Sequence, residues 1–226
     1  MHWGKGMGLI RDNVLRLLSE IPKGITVVAA AKSRDAAEVL EAIVAGITAV
    51  GENYMQESRT MIETIGPKAS WHFIGHIQKN KVKYIVPLFD MIETVDSMEL
   101  ASIIDQHAAK YGKVMPVLIE VNIAHEAQKH GAMPEDVPDL IRQMSSLKNI
   151  HVSGLMTMGP FVEDPEELRP YFRQAKVLFE EIKALNRANV RMDYLSMGMS
   201  DSFPIAIQEG ATMVRIGTRI FGERPT

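Results

Sequence analysis

Along the chain, short apolar runs alternate with longer amphipathic stretches, and the alternation repeats eight times. The first element is helical: Leu9-Ile10, Val14, Leu17-Leu18 and Ile21 recur on one helix face, and Pro22 and Gly24 end it. Thr26-Val27-Val28-Ala29-Ala30-Ala31-Lys32 follows, an uncharged run of the kind buried in parallel sheets, closed by a lysine. The pattern then predicts a helix over 35–45, a strand over 47–50 ending at Gly51-Glu52-Asn53, and a helix through Met61. A third strand over 71–74 ends in Gly75-His76, and its helix carries Lys79, Lys81 and Lys83. The fourth strand, 91–95, runs into Asp96-Ser97, which caps a helix reaching Lys110. The fifth, 115–121, ends at Asn122; a loop with His125, Lys129 and His130 precedes a helix over 134–146. Strand six, 150–155, is followed by Met156-Thr157-Met158-Gly159. The acidic run Glu163 to Glu167 then opens a long helix with the stripe Leu168, Phe172, Ala175, Phe179, Ile182 and Leu185. Strand seven, 192–197, ends in Gly198-Met199-Ser200-Asp201. A short helical stretch covers 205–207, and strand eight, 212–216, runs into Gly217-Thr218.

Eight strands alternating with helices predict an α/β chain folded as a single (β/α)8 TIM barrel over 1–226. No linker, charge block or low-complexity stretch divides it. Very little chain follows strand eight, so the closing helix is short or absent. The N-terminal helix, 9–20, is expected to cover the gap between strands eight and one.

Composition narrows the function classes. At 226 residues with 46% hydrophobic and 23% charged, the chain has enough apolar side chains for one large core. A net charge of -3 gives no global pull toward nucleic acid or an anionic membrane. The absence of cysteine removes disulfides, thiolate nucleophiles and cysteine metal sites, and it suits a reducing cytoplasm. No apolar run approaches the roughly 20 residues that span a bilayer, and the start, Met1 to Gly6, lacks a signal-peptide core. The 15 methionines are read as core filling. A monomer is expected.

The chemistry centres on Lys32. A strand-end lysine either snorkels to the surface or serves as a Schiff-base lysine at the catalytic face of the barrel. Closure sets strand one beside strand eight, and strand eight beside strand seven. The loops after strands seven and eight, Gly198-Met199-Ser200-Asp201 and Gly217-Thr218, offer backbone amides and hydroxyls suited to phosphate. Together with Lys32 they outline a slot for a small phosphorylated carbonyl compound. An imine forms only from the neutral amine, so partial burial or nearby positive charge must favour that form. Arg215 lies two residues before Gly217 and so faces the same side. There it would either meet a ligand ring or pair with a carboxylate. His72 and His76 are four apart but fall in a strand and its loop, with no third ligand evident, so no metal is expected. The lysines 79, 81 and 83 are read as a solvated helix face.

Ala31-Lys32, Gly51-Glu52-Asn53-Tyr54-x-Gln56-Glu57, His72-Phe73-Ile74-Gly75-His76-Ile77-Gln78-x-Asn80-Lys81 and Gly154-Leu155-Met156 form a series of motifs. Leu195-Ser196-Met197-Gly198-Met199-Ser200-x-Ser202 and Val214-Arg215-Ile216-Gly217-Thr218-x-Ile220-Phe221-Gly222 complete it. In this order, over nearly the whole chain, they resemble the YggS/PROSC family of pyridoxal 5'-phosphate (PLP) homeostasis proteins. The resemblance implies a barrel like the N-terminal domain of alanine racemase, with PLP held as an imine on Lys32. It implies Ser200, Gly217 and Thr218 at the phosphate, Arg215 at the pyridine nitrogen, and Asn53, His72 and Met197 around the pocket. It further implies hand-over of PLP to PLP-dependent apo-enzymes, and no catalytic residues. Two places depart from the family pattern: His125 stands where serine is expected, and Ser33-Arg34-Asp35 follows Lys32. An amino-acid racemase of the same fold and a class I aldolase with a substrate imine on Lys32 remain as alternatives.

Overall fold

The computed structural model describes residues 8–223; the segment read against a signal peptide, Met1 to Gly6, lies outside the described residues. Eight parallel strands close into one barrel in chain order. They are β1 (Thr26–Ala30), β2 (Ala49–Glu52), β3 (Ser70–Phe73), β4 (Met91–Val95), β5 (Met115–Val121), β6 (Ile150–Thr157), β7 (Val190–Ser196) and β8 (Met213–Ile216). Closure is made by β1, which pairs with β8 (Val28 opposite Arg215) and with β2 (Ala30 opposite Gly51).

Around the barrel run α2 (Ala36–Val44), α3 (Met55–Ile65), α4 (Val82–Ile85), α5 (Met98–Lys110), α6 (Val137–Met144), α7 (Arg169–Ala184) and α8 (Phe203–Gln208). The closing helix α9 (Thr218–Phe221) has only four residues. As expected from the sequence, the N-terminal helix α1 (Leu9–Glu20) makes up the deficit. It buries Ile10, Val14 and Leu17, and its polar side is tied to the closing segment. Asn13 Nδ2 donates to the Ile220 carbonyl at 3.1 Å, and Glu20 pairs with Arg219 at 3.1 Å.

Strand alternation divides the barrel interior into two levels. The lower level is a small apolar cluster of Val28, Ala49, Met91, Leu118, Met156 and Met213. Two residues further along their strands stand Glu93, Glu120 and Arg215, all buried, with buried His72 and Ser196 beside them. The interior is therefore plugged by hydrocarbon below and floored by polar groups above.

Several element ends differ from the sequence reading, for one reason: ladder pairing rather than apolarity sets where a strand stops. β2 runs to Glu52 because Gly51 and Glu52 pair with His72 and Phe73. β6 continues to Thr157, whose hydroxyl donates to the Val121 carbonyl at 2.8 Å. β7 starts early, at Val190, opposite Val152. The lysine-bearing helix is a single 3-10 turn, Lys79–Lys81, followed by the four-residue α4. There Lys79 pairs with Glu99, and Lys83 lies over its neighbour Tyr84.

Candidate functional site

Lys32 leaves the end of β1 half-buried, and its Nζ lies 5.1 Å from the centre of the Tyr54 ring. The turn that follows is tight: Ser33 adopts φ 62°, and Arg34 N–H donates back to the Ala31 carbonyl at 3.0 Å. Asp35 then caps α2 in a reciprocal capping box with Glu38. The departure at Ser33-Arg34-Asp35 has a structural use. The Arg34 guanidinium donates to the Gly222 carbonyl at 2.6 Å and lies over Phe221, joining the lysine turn to the closing segment.

Above this turn opens a cavity of about 340 Å³ at the C-terminal ends of the strands. Six of the eight site residues expected from the sequence line it: Lys32, Asn53, Ser200, Arg215, Gly217 and Thr218. The other two are placed elsewhere. Met197 is fully buried in the core. His72 lies in the barrel floor, with Nδ1 2.7 Å from Glu93 and Nε2 3.2 Å from Ser70. Both residues lie outside the cavity lining, because strand alternation and burial turn their side chains into the protein.

The phosphate-suited loops meet through Ser200. Its Oγ accepts from the backbone N–H groups of Gly217 at 3.3 Å and Arg219 at 3.5 Å, which joins the β7 and β8 loops into one rim. On the opposite wall, a Cβ added at Gly75 would collide with the Asn53 carbonyl, so only glycine lets the loops after β2 and β3 come this close.

Arg215 is fixed from below. Nη1 donates to Ser196 Oγ at 2.6 Å and Nη2 to the Thr157 carbonyl at 2.9 Å; Ser196 Oγ donates to Glu93 Oε2 at 2.8 Å. Burial pushes the Glu93 carboxyl up, but bonds and charge from His72, Arg215 and Ser196 outweigh burial and hold it below the usual carboxylate range. Burial also works against the Arg215 charge, opposed by Glu93 and Glu120. Of the two readings open for Arg215, the structure shows the carboxylate one, reached through Ser196, and it also places Arg215 in the cavity lining. Glu120, beside it, is pushed up to about 7 by burial and by Asp96.

Glu93, Ser196 and Thr157 escaped the sequence reading. The signal for Glu93 was present, a carboxylate inside the otherwise uncharged run Met91 to Val95. Ser196 is two residues before Gly198 and shares its side, a weaker clue. Tyr54, inside a quoted motif, carried no sign that it would reach Lys32. His125 is exposed with φ 54° and lies 3.2 Å from Glu135, outside the cavity lining. His72 and His76 do not act as a pair: His72 is engaged with Glu93. The His76 ring instead stacks on His130 at 3.6 Å between centres.

The donor set suits PLP. Hydroxyls and amides converge at one end, Lys32 supplies an amine, and a buried guanidinium faces the cavity from the floor.

The model of the family "Alanine racemase, N-terminal domain" matches residues 7–225. This chain belongs to that family. Its relatives include a pyridoxal phosphate homeostasis protein from Aquifex aeolicus, 44% identical over 79% of this chain and 78% of the other. A second, from Pasteurella multocida, is 36% identical over 97% of each. Among solved structures, PipY of Synechococcus elongatus superposes with a TM-score of 0.89 without PLP and 0.86 with PLP bound. The identities are 33% and 32%, and the match covers 94% of this chain and all of PipY. Membership places this chain among the alanine racemase N-terminal domain barrels and, by these identities, on their YggS/PROSC branch.

Proposed function

We propose that this protein holds PLP as a Schiff base on Lys32 and serves in PLP homeostasis as a carrier and buffer, with little or no turnover. The observation that carries this reading is the convergence of Lys32, Arg215, Ser200, Gly217 and Thr218 on one cavity. Lys32 would hold the aldehyde carbon as an imine, with one water as the leaving group and no change of oxidation state. When bound, PLP supplies an electron sink. Ser200, Thr218 and the loop amides hold the phosphate, and Tyr54 flanks the lysine. Arg215, locked to Ser196 and the Thr157 carbonyl, would face the ring nitrogen and oppose its protonation. That position weakens the electron sink, which supports a holding role over a catalytic one. We further propose that the protein is a monomer that releases PLP to PLP-dependent apo-enzymes in the cytoplasm. Among the described residues no helix is long and apolar enough to cross a membrane.

Adding PLP to the purified protein should produce a visible imine absorbance, and borohydride should fix the mass on the peptide carrying Lys32. Lys32→Ala should abolish both. An unchanged spectrum in the variant, or interconversion of alanine enantiomers at enzymatic rates, would overturn the carrier reading.

A further inference from the structure

His76, Asp96 and His130 come from three separate elements. His76 follows β3, Asp96 follows β4, and His130 lies in the loop between β5 and α6. They are 20 and 34 residues apart in sequence, yet one ligand atom from each lies within 4.8 Å of the others. The imidazoles stack at 3.6 Å and 12°. Among the described residues, no hydrogen bond or ion pair to another protein group engages any of the three side chains.

The scaffold beneath them is rigid. Thr94 Oγ1 donates to the Gly75 carbonyl at 2.7 Å, fixing the turn that carries His76. Ser97 caps α5 directly after Asp96. The His130 loop is pinned by a bridge between Val121 and Ala132 and by Asn122 Nδ2 donating to the Glu126 carbonyl at 2.9 Å. Lys129 Nζ adds a bond to the Gly159 carbonyl at 2.9 Å. Gly131, at φ 112°, is needed for that path, since a Cβ there would lie 2.7 Å from the Asn122 nitrogen.

We propose that His76, Asp96 and His130 form a binding site for a divalent transition metal of the zinc type at the rim of the barrel. Two imidazoles and one carboxylate are a borderline donor set, which favours zinc, cobalt or nickel over calcium or magnesium. Metal–ligand bonds of about 2.0–2.2 Å require the donors to draw together to about 3.4 Å, a movement that side-chain rotation supplies. Three protein ligands leave at least one coordination position for water or an anion, as in catalytic rather than structural zinc sites. His76 also lines a cavity of about 590 Å³ bounded by Asn53, Tyr54 and Lys81, and Asn53 is shared with the Lys32 cavity. The site is independent of the PLP reading, because none of its three residues lines the Lys32 cavity.

The full chain, stripped with chelator, should bind one zinc ion by calorimetry and give visible d–d absorption when cobalt is added. His76→Ala and His130→Ala should each weaken zinc binding at least tenfold, and Asp96→Asn by a smaller factor. All three variants should keep native circular dichroism and the PLP absorbance. Absence of stoichiometric binding, or equal affinity in the His76→Ala/His130→Ala double variant, would overturn the proposal. The second outcome would place the metal on other histidines.

Discussion

The two interior levels of the barrel are built on the same strands two residues apart, yet they do opposite work. At the lower level, Met91, Leu118 and Met213 fill space with hydrocarbon and exclude water. At the upper level the same strands carry Glu93, Glu120 and Arg215, and burial opposes the charge on each. Such groups persist where each supplies the other's missing solvation, as Arg215, Ser196, Glu93 and His72 do in one chain of bonds. The comparison teaches that a step of two residues along a parallel strand turns packing into chemistry. For Glu93 and Arg215 the price of burial is met by that network, whereas Glu120 stands outside it and is pushed up to about 7.

The comparison breaks most sharply at Arg215. Arg215→Met leaves Glu93 buried with less compensation and should cost about 3–5 kcal/mol of stability in urea unfolding. It should also weaken the PLP absorbance. Adding Glu93→Gln should restore a large part of the stability but not the absorbance; simple additivity of the two changes would show that the network is not coupled. One level down, Leu118→Ala should cost about 3 kcal/mol through cavity formation while leaving the Lys32 absorbance intact. Loss of the imine there would mean that the two levels are not separable. The smallest effect is expected at Glu52, the last residue of β2, whose carboxyl is pushed up to about 7 by burial and by Glu57. Its folded-state value lies above the ordinary 4.5, so the folded protein holds more protons across that window. Stability should therefore fall as pH rises from about 4.5 to 7 and level off above it. Glu52→Gln should flatten this slope and gain about 2 kcal/mol at pH 8, read as a shift in urea midpoint. An unchanged slope would show that Glu52 does not control it.

Much of this was legible in the residue order. The eight-fold alternation announced the barrel, and the shortage of chain after β8 announced that α1 must cover the seam. Short runs dominated by β-branched and other aliphatic residues, such as Met91 to Val95 and Met115 to Val121, fit buried parallel strands best, which is why β4 and β5 fall where their patterns place them. Lys32, Ser200, Gly217 and Thr218 were readable because barrel chemistry gathers at strand ends, and strand ends are visible as apolar runs giving way to glycine and polar residues. His72 was not assignable in the same way. The family resemblance implies a place around the pocket, but side-chain bonds to Glu93 and Ser70 hold it in the floor.

Local pattern and chain order are thus enough for the fold, for a lysine at the end of strand one and for glycine and hydroxyl groups in the loops after strands seven and eight. Only the tertiary structure decided what Arg215 touches, that Glu93 and Ser196 hold it, and that His76, Asp96 and His130 share one corner of the rim. Those groups meet through barrel curvature and the inter-strand register, and neither is written in the spacing of residues 20 or 34 positions apart.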